Sequence, residues 1–531
     1  MKNIYKNIVV CFSIMALFTG CEEELDLSNP TALSIEELLQ TDNGFELLAN
    51  GVLDAYQKVP ANEFLLTELR SDNVRANSEN GNYPAINAYN VDANNGDVAT
   101  YYSNNMHTIK HANTIIDNKF LAPEDQQYTV GEAYFMRALC HFNLVRAYQN
   151  VPYVDKVVDI TTEEALDFPQ LPEAEVYQRI ISDFKTSIAY LNGVEQNRYR
   201  PSEGAAICLA AKAYLSQPVP NYTEAELLLA SVVENHTTYN YDLLFTERDN
   251  AEQFEFNADP LDTSVDLLTD AEYNANLVID YGHVFGNSIS DGYTDGVLDG
   301  SWSNNPAFEI NDEVIFSIAY DLVSSDNYVT SDSGLDDQVE TDSESHSFAM
   351  TLQGPSNGVN IASLDFLEVM NPELQPVRFY ASIDALSYNP TVETNDTFNA
   401  KFPTEGEIGD NDWIVLRYAD VLLLYTEAIM AGANSTTDSR AIDAFNQVRA
   451  RAGLEEVANL TRQQLLDERR VEFVYENQRL YDLIRFGEAD NVLSEFSTEN
   501  SLFYTSEKKY LPFPQREIDN LPNFYTQNNG Y

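Results

Sequence analysis

Glu468, Glu472 and Glu476 stand four residues apart in LLDERRVEFVYENQRLYDLIRFG, so a helix places all three on one face. Paired carboxylates are what glycoside hydrolysis uses. That chemistry needs them facing each other across a sugar, whereas these three run along one wall. Arg469, Arg470 and Arg479 are interleaved with them, and structural ion pairing is the expected outcome. Arg417, in an otherwise apolar stretch, must also find an acid, because an unpaired buried charge is costly. Glu472 is the expected partner.

Other constellations are weaker. His107 and His111 have the i,i+4 spacing that grips a metal, but no H-E-x-x-H glutamate lies between them. Two ligands alone do not make a site, so surface or partly packed histidines are expected. Gly354-Pro-Ser-Asn-Gly358 fits the G-x-S-x-G elbow. The elbow's triad needs a later histidine, and the last one is His346; a turn is expected instead. Asp291, Asp295 and Asp299 alternate with glycines in a loop that collects oxygen ligands for a structural calcium. The spacing is not that of an EF-hand, and a solvated acidic loop is favoured, as it is for the run Ser331–Ser347. No other cofactor is expected. Aromatic residues in polar loops are the remaining signal: of 32 Tyr, 27 Phe and 2 Trp, Trp302 sits in DGSWSNNP. Aromatic planes with polar neighbours are what glycan binding needs.

These residues are carried by a chain whose longest patterns are helical. Apolar periodicity predicts helices from Ser34, over Gly44–Lys58, Tyr101–Asn118, Gly131–Gln149, Glu173–Leu191, Glu203–Leu215 and Thr223–Glu234. Helix pairs at intervals of about 34 residues suggest a tetratricopeptide-like solenoid. WIVLRYADVLLLYTEAIMAG, from Trp413, reads as one buried helix, and LLDERR to RFG as one amphipathic helix. Between Tyr239 and Phe402 the rhythm fails, apart from a β-like run at Glu313–Tyr320. The fold expected is mainly α: a tetratricopeptide-like helical solenoid scaffold with an irregular, loop-rich inserted lobe. Its parts are 34–238, 239–402 and 403–531; the portion Asp249–Tyr281 finds no place in this scheme.

The 531 residues carry 85 acidic against 30 basic side chains, a net charge of −55. Such a surface repels nucleic acid and polyanions. Residues 1–20 have a basic start and an apolar core, Ile8–Phe18, of signal-peptide length. The end Phe18-Thr-Gly-Cys21 resembles a lipoprotein signal, which implies acylation of Cys21 and a tether over 21–33. Cleavage would remove Lys2 and Lys6 and no acid, deepening the charge to −57. Cys140 and Cys208 are expected as free, buried thiols.

LRYADVLLLYTEAI, FNQVRARAGL, ERRVEFVYENQRLYDLIRFG and the closing KYLPFPQREIDNLPNFYTQNNGY together resemble the C-terminal half of the SusD/RagB family. GEAYFMRALCHFNLVRAYQNVPYV is similar to its N-terminal signature. The resemblance implies a non-catalytic surface lipoprotein of the outer membrane, which binds a glycan or oligosaccharide for a SusC-like TonB-dependent transporter. By position it points to Asp72, Asn73, Arg75, Tyr83, Tyr89, Tyr293 and Trp302 as ligand contacts. The charge favours a neutral glycan, since repulsion within a Debye length of ~8 Å opposes a polyanion. A tethered glycosidase or lyase, and a tetratricopeptide-type scaffold binding only protein, are the alternatives.

Overall fold

In a computed structural model of the chain, the described residues are 34–76, 82–158, 168–244, 311–320, 361–383 and 412–531. Shorter pieces fall at 277–278, 281–282, 284–285, 287–289, 293–294, 297–298, 302–304, 399 and 401–402. Cys21 with the signal and tether, the Ser331–Ser347 run and the Gly354–Gly358 turn lie outside them, as do most of Asp249–Tyr281 and of the Asp291–Asp299 loop. The chain divides into two units, Met1–Leu47 and Leu48–Tyr531. In the first, Ser34 caps a short helix, and Glu37 returns the bond in a capping box.

The second unit is mainly helical. Helix α1 (Gly44–Gln57), which starts ahead of the unit's first residue, and α2 (Val59–Glu68) lead to strand β1 (Val74–Arg75) and the short α3 (Tyr83–Asn87). Then come α4 (Gly96–Asp117), α5 (Gln127–Tyr148), α6 (Glu173–Leu191), α7 (Glu203–Ser216) and α8 (Tyr222–Val233). From α4 to α8 each helix packs on the next, the nearest-neighbour stacking of a solenoid. Asn95 and Ser202 cap α4 and α7 by accepting backbone N–H bonds. Gly131 lets α6 come close to α5, since a Cβ there would fall 2.7 Å from the Tyr190 Cβ. The α5 helix is buried on nearly every side, not on one stripe. Its Cys140 and the Cys208 of α7 are free and buried.

After β2 (Val314–Ile318) and β3 (Ile361–Ala362) follow β4 (Trp413–Arg417) and the helices α9 (Tyr418–Met430) and α10 (Ser439–Arg451). The chain continues with α11 (Arg462–Glu472), α12 (Arg479–Arg485) and α13 (Ala489–Glu499). Helix α9 packs on α8 and carries the stack into the C-terminal part.

Two sequence expectations are corrected here. Trp413–Arg417 is not the first turn of a buried helix but a strand, antiparallel to β2. Burial on both faces erases the alternation that would mark a strand. The expected single helix from LLDERR to RFG is two, broken at 473–478, where Tyr475 and Asn477 have positive φ. Glu68 of α2 accepts the Tyr475 backbone N–H and holds the break.

Candidate functional site

Strand β1 and helix α3 flank residues 77–81, and the first five expected contact residues lie in them or within two residues of their ends. Asn87 ties the two elements: its amide donates to the Leu69 carbonyl at 2.9 Å and its Oδ1 accepts from the Ala76 N–H at 3.3 Å. Nothing in the sequence singles this residue out. An Asn eleven positions from its partner leaves no local signal.

Three of the five point into the body. Asp72 is 1% exposed; its two oxygens accept from Nε and Nη2 of Arg479, both at 2.8 Å, and Arg470 lies 2.9 Å away. Burial disfavours the charged carboxylate, but the Arg470 and Arg479 guanidiniums outweigh it and hold its pKa well below the usual range. Asn73 is buried and accepts from Arg470 Nε at 3.0 Å. The Tyr89 hydroxyl donates to the Arg70 carbonyl at 2.6 Å, and its ring meets Tyr504 edge-on at 5.0 Å. These buried side chains, expected as ligand contacts, fasten the edge to the body.

The other two are less buried. Tyr83 is half-buried in the first turn of α3. Arg75 is half-buried with its guanidinium 6.0 Å from the Phe496 ring of α13, and its Nε and Nη1 have no hydrogen-bond partner. Among the described arginines it is the one that forms neither hydrogen bond nor ion pair. Such a group is worth most when a ligand hydroxyl or carbonyl supplies the missing acceptor. Tyr293 lies in a two-residue strand paired with Val297–Leu298, and Trp302 pairs with Ile289. Their side chains, and therefore any meeting with Arg75, lie outside the described residues.

The glutamate row behaves as expected of ion pairs. Arg417 Nη1 donates to Glu472 at 2.6 Å and to Glu313 at 2.8 Å, and its Nε to Glu476 at 2.7 Å. Arg378 bridges Glu472 at 2.7 Å and Glu468 at 2.5 Å. Arg451 bonds Glu313 at 2.8 Å and also reaches Glu472, while Lys401 donates to Glu476 at 2.6 Å. Burial alone would raise the Glu472 pKa, but Arg451, Arg378, Arg417 and Lys401 hold it well below the carboxylate range. A second network joins four helices: Asp420 of α9 takes Lys212 of α7 at 2.7 Å and Arg469 of α11 at 2.8 Å, and Arg469 reaches Asp482 of α12 at 2.8 Å. These carboxylates are committed to cations.

A crevice lined by Glu63, Asn143, Arg146, Lys212, Trp413 and Asn477 holds about 30 Å³, room for water and not for a sugar ring. His107 and His111 lie on α4, with their Nε2 atoms 3.1 Å apart. Partial burial, the neighbouring His107 and Lys110 bring the His111 pKa down to about 4. Among the described residues, no three His, Cys, Asp or Glu side chains are grouped to hold a metal. No described helix is long and apolar enough to cross a membrane.

Comparison with known proteins adds two family models. One, described as "SusD family", matches residues 392–531. The other, "Starch-binding associating with outer membrane", matches residues 23–215. SusD-like protein P2 of Formosa agariphila is 24% identical over 99% of this chain and all of its own. A SusD-like protein of Bacteroides ovatus is 34% identical over 87 residues, 16% of either chain. Among solved structures, a laminarin binding SusD-like protein covers 92% of this chain and 98% of its own, with a TM-score of 0.64 and 21% identity. Surface glycan-binding protein A from Bacteroides thetaiotaomicron, in complex with laminarihexaose, covers 92% and 99% with a TM-score of 0.64 and 20% identity. At these identities the structural likeness speaks to the helical fold.

Proposed function

Because the chain belongs to the SusD/RagB family, we propose that it is an outer-membrane surface lipoprotein that captures a neutral glycan. In this reading it passes the glycan unaltered to a SusC-like TonB-dependent transporter. Acylation of Cys21 supplies the membrane affinity, so the helical body need not touch lipid. The observation that carries the reading is the unpaired Arg75 guanidinium at the β1–α3 edge, in a protein whose other described arginines each make at least one hydrogen bond or ion pair. Tyr83 at the start of α3, with Tyr293 and Trp302 on the 287–304 strands, completes the proposed contact set of aromatic planes and a donor. The commitment of Glu468, Glu472 and Glu476 to arginines and lysine supports capture over bond cleavage. The −55 charge supports a neutral ligand over a sulfated or uronate one.

Affinity electrophoresis of the mature protein on a panel of polysaccharides tests this. Retardation on neutral glucans without shortening of the polymer is the expected result. Retention only on alginate or a sulfated galactan contradicts the neutral ligand, and release of reducing ends contradicts the binding role. Trp302→Ala should weaken binding by about 1–3 kcal/mol, the worth of one aromatic face, at unchanged melting temperature.

A further inference from the structure

The α4 histidine pair has a geometry that the glycan reading does not use. His107 is exposed and His111 half-buried, with ring centroids 4.6 Å apart and planes crossing at 71°. Their Nε2 atoms approach to 3.1 Å, so the same nitrogen of each ring lies within reach of one ion. Without a metal, one ring donates its N–H to the other. A divalent cation held at ~2.0–2.1 Å from each nitrogen would sit between them at an N–M–N angle of about 95–102°, given the 3.1 Å separation. That is near the right angle of tetragonal coordination, which copper(II) and nickel(II) prefer, and below the tetrahedral angle that zinc prefers.

We infer that His107 and His111 form a two-point chelate for a tetragonal divalent ion, copper(II) first and nickel(II) second, on the outer face of α4. Each imidazole binds through Nε2 as the tautomer that carries its proton on Nδ1, so no net proton leaves. Water fills the remaining positions. Asp54, Lys58 and Lys110 are the charged groups around the pair. The acid offsets part of the repulsion that the two lysines exert on a cation.

The test is titration of the full chain with copper(II) chloride, read by electron paramagnetic resonance, beside His107→Ala and His111→Ala. The expected result is a tetragonal spectrum with splitting from two nitrogens. Either substitution should weaken the site by at least about tenfold, since the second ligand acts at high effective concentration. An oxygen-only spectrum in the wild type, or equal affinity in all three proteins, overturns the inference. His107 is at the surface, so His107→Ala decides the matter even if His111→Ala is less stable. Glycan affinity of the variants is expected to stay unchanged, which keeps the fate of this site separate from that of the glycan reading.

Discussion

The α9–α12 core and the β1–α3 edge treat arginine in opposite ways. In the core, Arg378, Arg417, Arg451 and Arg469 are fully buried, and each meets at least two carboxylate or carbonyl oxygens. Burying a charge costs several kcal/mol, and only such geometry offsets it. At the edge, Arg75 is left over an aromatic ring with two nitrogens unsatisfied. A fold that satisfies so many guanidiniums internally could have satisfied this one. The difference separates cations whose acceptors the body supplies from one whose acceptors it does not.

The comparison breaks first at its strongest point. Glu472→Gln removes the acid shared by Arg378, Arg417 and Arg451, and should destabilise by about 5 kcal/mol, seen as a large fall in melting temperature. A change under 1 kcal/mol would mean that the network is dispensable. Asp72→Asn strips Arg479 of its bidentate partner and should cost about 3 kcal/mol. Because the edge hangs on this pair, weaker glycan binding should accompany the loss of stability.

Acid titration sharpens the picture. Asp72, Asp420 and Glu472 have folded pKa values held below their unfolded ones. Their contribution is complete above the ordinary carboxylate range and is lost as pH falls through it and below. Glu68 goes the other way: burial raises it to about 7, against the backbone N–H groups of Tyr475 and Asn477. Its contribution is greatest below the unfolded value of 4.5 and declines as pH rises from there to about 7. Glu68→Gln should remove a pH dependence on the order of 2–3 kcal/mol in that window, measured by urea unfolding at a series of pH values. An unaltered dependence would assign it to another group.

Much of the helical scaffold was legible because its signals are local. The Gly131–Gln149 pattern lies within α5, the free buried cysteines followed from apolar surroundings, and Arg417 found Glu472 because a charge in a greasy segment demands an acid. What misled was long-range. Val415 and Leu416 look helical until paired with a strand about a hundred residues earlier. The break at 473–478 carries no glycine or proline, only Tyr475 and Asn477 in left-handed conformations. Asp72, Asn73 and Tyr89 sit in a polar run that reads as surface, because Arg470 and Arg479 for the first two, and Tyr504 for the third, lie some 400 residues away in sequence. Arg75 was picked by resemblance alone; nothing local distinguishes it from the paired arginines.

Isothermal calorimetry of wild type and Arg75→Ala against the neutral glucan oligosaccharide that the panel selects tests the account most directly. The prediction is at least about tenfold weaker binding, the ~1.5 kcal/mol of a charge-assisted hydrogen bond, with the melting temperature unchanged. Equal affinities, or a variant that loses stability as the core variants do, would contradict it.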